Sequence, residues 1–95
     1  MTTGRMTLRQ LTRDFAVTEP LPTWAETTAA FVSDPVELYV VDELRRALAR
    51  DGDFREPVVL DLEQREIRHG RHRVVAALLT GLPDIAWEPA TASGQ

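Results

Sequence analysis

Cysteine and lysine are both absent from this 95-residue chain. Without cysteine there is no disulfide framework, no thiolate zinc site and no thiol nucleophile. Without lysine there is no Schiff-base amine and no P-loop lysine to hold a triphosphate. Long apolar runs are missing too. The stretch Val74 to Leu79 falls far short of the roughly 20 residues that span a bilayer as a helix. The start, MTTGRMTLRQLTRDF, lacks the apolar segment of a signal peptide, so a cytoplasmic location is the expectation.

What remains describes a small globular unit. A hydrophobic fraction of 43% over 95 residues suits one domain with a modest core and argues against wholesale disorder. The net charge of −4 is unevenly spread. Residues 65–73, REIRHGRHR, hold Arg65, Arg68, Arg71, Arg73 and two histidines against Glu66, whereas the rest of the chain sets seven of the 11 basic residues against 14 of the 15 acids. An acidic body is a poor general binder of nucleic acid, because duplex affinity rests on neutralising phosphates. One basic spot on it suits a small anion better.

Local patterns divide the chain. In TLRQLTRDFA, Leu8, Leu11 and Phe15 have helical spacing and Thr7 with Gln10 has capping-box spacing; a strand from Met6 to Gln10 competes. EPLPTW is a proline-bracketed break. Thr23 and Glu26 repeat the capping-box spacing before AETTAAFV, which would set Trp24 and Phe31 on one face. Asp34, Pro35 and Glu37 then read as N-cap, first helical position and capping acid of a helix ended by Gly52, with Val40, Val41, Leu44, Ala47 and Leu48 as its apolar stripe. The β-branched YVV leaves open a start nearer Asp42.

EPVVLDL reads as a short buried strand, DLEQ as a polar turn, REIR as a return strand, RHRVVAALLT as a helix closed by Gly81 and Pro83, and DIAWEP as a last strand with Ile85 and Trp87 on one face. The expected fold class is α+β: a small mixed sheet with packed helices. The expected division is an N-terminal helical or irregular extension over 1–34, a domain over 35–89 and a mobile tail over 90–95.

The basic turn joins a strand to a helix. Gly70 lets the backbone approach a ligand, and the first turn of the next helix offers unpaired N–H groups and the positive end of the macrodipole. Arg71 and Arg73 add planar donors suited to phosphate, and His72 can donate or accept a proton. Cations at a helix start cost stability unless an anion compensates, which points to a phosphate or carboxylate ligand.

Three other readings compete. Arg65 and Arg68 could be solvated charges paired with Glu63 and Glu66 in an exposed hairpin. Glu66, His69 and His72, spaced by threes, would share a face of a continuous helix and hold a metal, although Gly70 and the arginines oppose this. His72 could act as a general base oriented by Glu37, Asp42 or Glu56, among which spacing does not choose.

The ordered pieces IRHGRHRVVAALLTGLPDIAWEP and VDELRRALARDGDFREPVVL resemble the ParB/sulfiredoxin-like superfamily over about residues 36–88. The match is carried by Gly70, Arg71, His72, Arg73, Ala76, Ala77 and Gly81, with Val41, Leu44, Gly52 and Pro57 upstream. The resemblance implies a nucleotide-binding fold. Its members include partition proteins that bind and hydrolyse CTP, sulfiredoxins that use ATP, free-serine kinases and some proteins described as nucleases. It implies that Gly70, Arg71, His72 and Arg73 contact phosphates, flanked by Arg68 and His69, with Arg55 and Glu56 at the rim. A nucleoside triphosphate such as CTP or ATP would bring magnesium with it.

The departures narrow that expectation. His69 stands where many members have aspartate, and Arg71 where sulfiredoxins carry their cysteine, so sulfinic acid reduction is excluded. The helix-turn-helix and dimerisation parts of partition proteins are not present in these 95 residues, so direct DNA binding is not expected. The leading expectation is a minimal domain that binds a nucleotide or another phosphorylated small molecule at Gly70 to Arg73, with NTP hydrolysis or phosphotransfer left open. The alternatives are a non-catalytic interaction or regulatory module, acting on a protein partner or as a homodimer, and a DNA-associated partition- or nuclease-like protein.

Overall fold

The computed structural model of the protein describes residues 4–17 and 23–90. Most of the EPLPTW break and residues 91–95 of the expected tail lie outside the described residues. The elements run β1 (Gly4–Thr7), α1 (Leu8–Asp14), α2 (Trp24–Ser33), α3 (Pro35–Asp51), β2 (Val58–Asp61), β3 (Glu66–His69), α4 (Arg71–Thr80) and β4 (Asp84–Pro89). The class is α+β, with a mixed sheet in the order β1-β4-β2-β3. β1 pairs antiparallel with β4, β4 parallel with β2, and β2 antiparallel with β3. The parallel pair needs a crossover, which β3 and α4 supply.

Of the two readings for residues 6–15 the helix holds from Leu8, and the strand lies earlier than Met6–Gln10, at Gly4–Thr7. Thr7 ends β1 and caps α1, its hydroxyl accepting from the Gln10 N–H at 3.0 Å. Thr23 caps α2 through the Glu26 N–H, and its hydroxyl donates to the Glu26 carboxylate. Asp34 caps α3 through the N–H groups of Val36 and Glu37, with Pro35 at the helix start and left-handed Gly52 at its end. That settles the start of α3 at Pro35, not near Asp42. Only part of its expected stripe is inside. Val41 and Leu48 are buried and Leu44 packs beside them, but Val40 faces outward. The seam of α3 follows Val41, Leu44 and Leu48, and Val40, about 100° round the helix from Val41, falls outside it.

Two core clusters lie on opposite sides of α4. Val74 and Ala77 face the sheet with Leu11, Trp24, Val58, Leu60, Ile67 and Ile85, whereas Val75 and Ala76 face α2 and α3 with Phe31 and Val41. A helix covered on both sides can be apolar all round, which explains the unbroken VVAA. The expected boundary at residue 34 is not one in the packing. β1 is a strand of the sheet, and Leu8, Leu11, Phe15, Val17 and Trp24 belong to the sheet-facing core. The chain after α1 also covers β3, since the Ala16 N–H donates to the Arg65 carbonyl and the Ile67 N–H to the Ala16 carbonyl. No helix among the described residues is long and apolar enough to cross a membrane.

Candidate site at the start of helix α4

β3 ends at His69, and the chain turns through Gly70 at φ 106° and ψ 19° before α4 begins. Two constraints hold glycine here. The backbone is left-handed, and a Cβ would stand 2.7 Å from the Val58 Cγ1 and 3.1 Å from the Arg73 Nη1. The close approach required of Gly70 is therefore to β2, inside the protein. No side chain caps α4, whereas Thr7, Thr23 and Asp34 cap the other three described helices. Gly70, as the N-cap residue, has no side chain with which to accept from the first-turn N–H groups at the positive dipole end of α4.

The basic side chains divide. Arg73 folds back over Gly70, its Nη1 donating to the Pro57 carbonyl at 3.0 Å and its Nη2 to Glu56 at 3.2 Å. It ties α4 to the loop before β2. Arg68 donates to Asp61, not to Glu63 or Glu66. Asp61 also accepts from the N–H groups of Glu63 and Gln64, closing the hairpin turn. The Gln64 N–H first, and then Arg68, hold the Asp61 carboxyl below its ordinary value, and the same pair raises the Arg68 guanidinium. His69 and Arg55 are exposed, and Arg71 is half-buried at the first position of α4.

His72 has the most organised surroundings of the site. Its Nε2 lies 2.7 Å from the Glu37 Oε1, so of the three acids considered as its orienting partner the fold brings Glu37. Its ring stacks on Phe31 with centroids 4.6 Å apart and planes at 19°. A carboxylate only accepts, so the proton of the neutral imidazole sits on Nε2 and Nδ1 carries the lone pair. Because Glu37 lies in the first turn of α3 and His72 in that of α4, the positive ends of two helices meet at this pair.

The proposed metal set does not assemble. Glu66 and His69 lie on β3 and His72 is bonded to Glu37, and among the described residues no group of three or more His, Asp or Glu is placed to hold a metal ion. The donor set does not fit a protein-bound magnesium at this turn either, because Glu37 and Glu56 are matched by His72 and Arg73. Two parts of the site gave no sequence signal: the Phe31 shelf and the Pro57 carbonyl. Asp61 carried one, since aspartate at the first position of a turn accepts from backbone N–H groups two and three residues on.

No family model, no curated protein and no solved structure matches this chain.

Proposed function

We propose that the start of α4 binds a small anion, and that the ligand is a nucleotide or another phosphorylated small molecule. The observation that carries the reading is that α4 alone among the described helices begins without a side-chain cap, at the centre of the basic turn. A phosphate oxygen there would accept from the backbone N–H groups of the first turn and be attracted by the macrodipole. Arg71, at the first helical position, would supply planar donors, while His72, its Nε2 proton donated to Glu37 and its ring stacked on Phe31, fixes the shape of the turn. Arg73 and Arg68 serve the reading indirectly, by fixing Gly70 against β2 and by closing the hairpin before the turn. The resemblance of Gly70 to Arg73 to the phosphate-contacting turn of the ParB/sulfiredoxin-like superfamily supports the same assignment.

The test is a thermal-shift series with ATP, CTP, GTP, UTP, pyrophosphate and sulfate, each with and without magnesium. At about 100 times the dissociation constant, binding adds roughly 2.7 kcal/mol, a rise of several degrees in a domain of this size. The expected result is a shift with a phosphorylated ligand that Arg71→Ala abolishes without lowering the unliganded midpoint by more than a few degrees. No shift from any of the anions overturns the reading. One observation favours an interaction module as the second reading: four exposed apolar side chains gathered within nine positions of the α2–α3 corner.

A further inference from the structure

Histidine is the side chain whose charge changes close to neutrality, and the two in this chain, His69 and His72, stand on either side of Gly70. They are placed differently. His69 is exposed at the end of β3. His72 lies in the first turn of α4, its Nε2 2.7 Å from Glu37 of α3 and its ring stacked on Phe31 of α2. Its side chain keeps 30% of its accessible surface, so a proton can reach the ring from solvent while the ring is held in one plane.

The charges around this ring come from each neighbouring element. α3 brings Glu37, with Asp34 occupied as the helix cap. α2 has one charged residue, Glu26, in its first turn, whereas Phe31 stands near the other end. α4 brings Arg71 and Arg73, and the loop before β2 brings exposed Arg55 and Glu56, the latter matched by Arg73. Asp61 of β2 is taken by Arg68. α1 meets α4 through the sheet-facing core, on the side away from Phe31. The positive ends of the α3 and α4 dipoles add to the arginines. Of these groups Glu37 is the acid in contact with the ring, so a second ring proton meets more positive charge than one carboxylate balances.

We infer, building on the anion-binding reading, that an anion at the start of α4 is taken up together with a proton on His72, so that affinity rises as pH falls through the range in which histidine becomes charged. Two effects act in the same direction. A negative ligand supplies the counter-charge that a charged His72 lacks. The bonding also changes. In the neutral ring Nε2–H donates to Glu37, and Nδ1 presents a lone pair that repels anion oxygens. In the charged ring both nitrogens donate, so the bond to Glu37 is kept and Nδ1 turns from acceptor to donor. Nδ1 is bonded to Cγ and so lies on the main-chain side of the ring, whereas Nε2 reaches across to α3. One added charge several ångströms from the ligand, screened as at a protein surface, changes affinity about threefold to tenfold. By linkage the bound anion favours the proton on His72 by the same factor.

Sulfate is the probe, because its own charge is constant over this range and that of phosphate is not. Backbone amide shifts of the full chain are followed as sulfate is added at constant ionic strength, at about pH 5.5 and about pH 8. The expected result is movement of the Arg71–Arg73 amides at both, with a dissociation constant about threefold to tenfold lower at the acid value. His72→Gln should reduce that ratio to less than about twofold and His69→Gln should leave it as in the wild type, the dispersion of the amide spectrum showing that each variant is folded. In the unaltered chain at about pH 6.5, sulfate should also move the Cε1–H signal of the His72 ring toward its low-pH position. Equal sulfate affinity at the two pH values, or a pH dependence that survives His72→Gln, overturns the coupling and leaves anion binding standing. No response to sulfate at either pH overturns the coupling as well, whereas the anion-binding reading stands or falls with the full ligand series above.

Discussion

His72 and Glu37 are 35 positions apart in the chain and 2.7 Å apart in the fold. Each sits in the first turn of its own helix, so the bond joins α3 to α4 at the ends where their dipoles repel. The Glu37 carboxylate partly offsets that repulsion, and Phe31 of α2 fixes the plane of the imidazole.

Both side chains are about one-third exposed, so solvent screens the pair. A double-mutant cycle over Glu37→Ala and His72→Ala should give a coupling of about 0.5–1.5 kcal/mol by urea unfolding. The ¹⁵N spectrum of the neutral ring should show the proton on Nε2 in the wild type and a mixture of tautomers in Glu37→Ala. A coupling near zero with an unchanged tautomer would mean that the pair is not maintained in solution.

The three left-handed glycines among the described residues should differ in their tolerance of a methyl group. Gly52 and Gly81 have open space where a Cβ would stand, so Gly52→Ala and Gly81→Ala should each cost about 1 kcal/mol from backbone strain alone. Gly70→Ala adds a collision with Val58 on the central part of the sheet, and should cost at least about 2–4 kcal/mol. Equal losses at all three positions, measured by urea midpoints, would contradict the packing of Gly70 on β2.

Stability should fall in acid through Asp61 and Asp53. Backbone donation from Gln64, and then Arg68, hold the Asp61 carboxyl below its ordinary 3.8. Arg5, which bridges Asp53 and Asp84, lowers Asp53 from the same value. A carboxyl depressed in the folded state adds stability that is complete above the unfolded value and is lost as pH falls through the folded one. Urea midpoints should therefore drop between about pH 5 and pH 2. Asp61→Asn should be less stable than wild type near neutrality, with the gap closing in acid. A gap that stays constant with pH would remove the assigned role of the charge.

Elements whose signals are local could be read in the chain. Thr7, Thr23 and Asp34 announce helix starts because a side-chain acceptor two or three residues before a free N–H closes without help from the rest of the fold. Gly52 and Gly81 announce helix ends for the same reason, because a left-handed residue is set by its own backbone. The α+β class followed from the order of those elements. The location of the basic turn at the start of α4 followed too, because Gly70 interrupts a strand pattern just before a helical one.

Tertiary structure decided the partners. Residues 4–17 looked like an extension because a four-residue strand is too short to declare its neighbour, and only the pairing of Gly4–Thr7 with β4 makes it part of the sheet. Four arginines in nine residues looked like one charged cluster because charge is visible in sequence and its neutralisation is not. Folding gives Arg68 to Asp61 and Arg73 to the Pro57 carbonyl and Glu56, and it selects Glu37 for His72. The sequence alone determined which groups stand at the start of α4, since those are set by chain order. Which partners they take depends on contacts between residues distant in the chain, and local propensity carries no information about those.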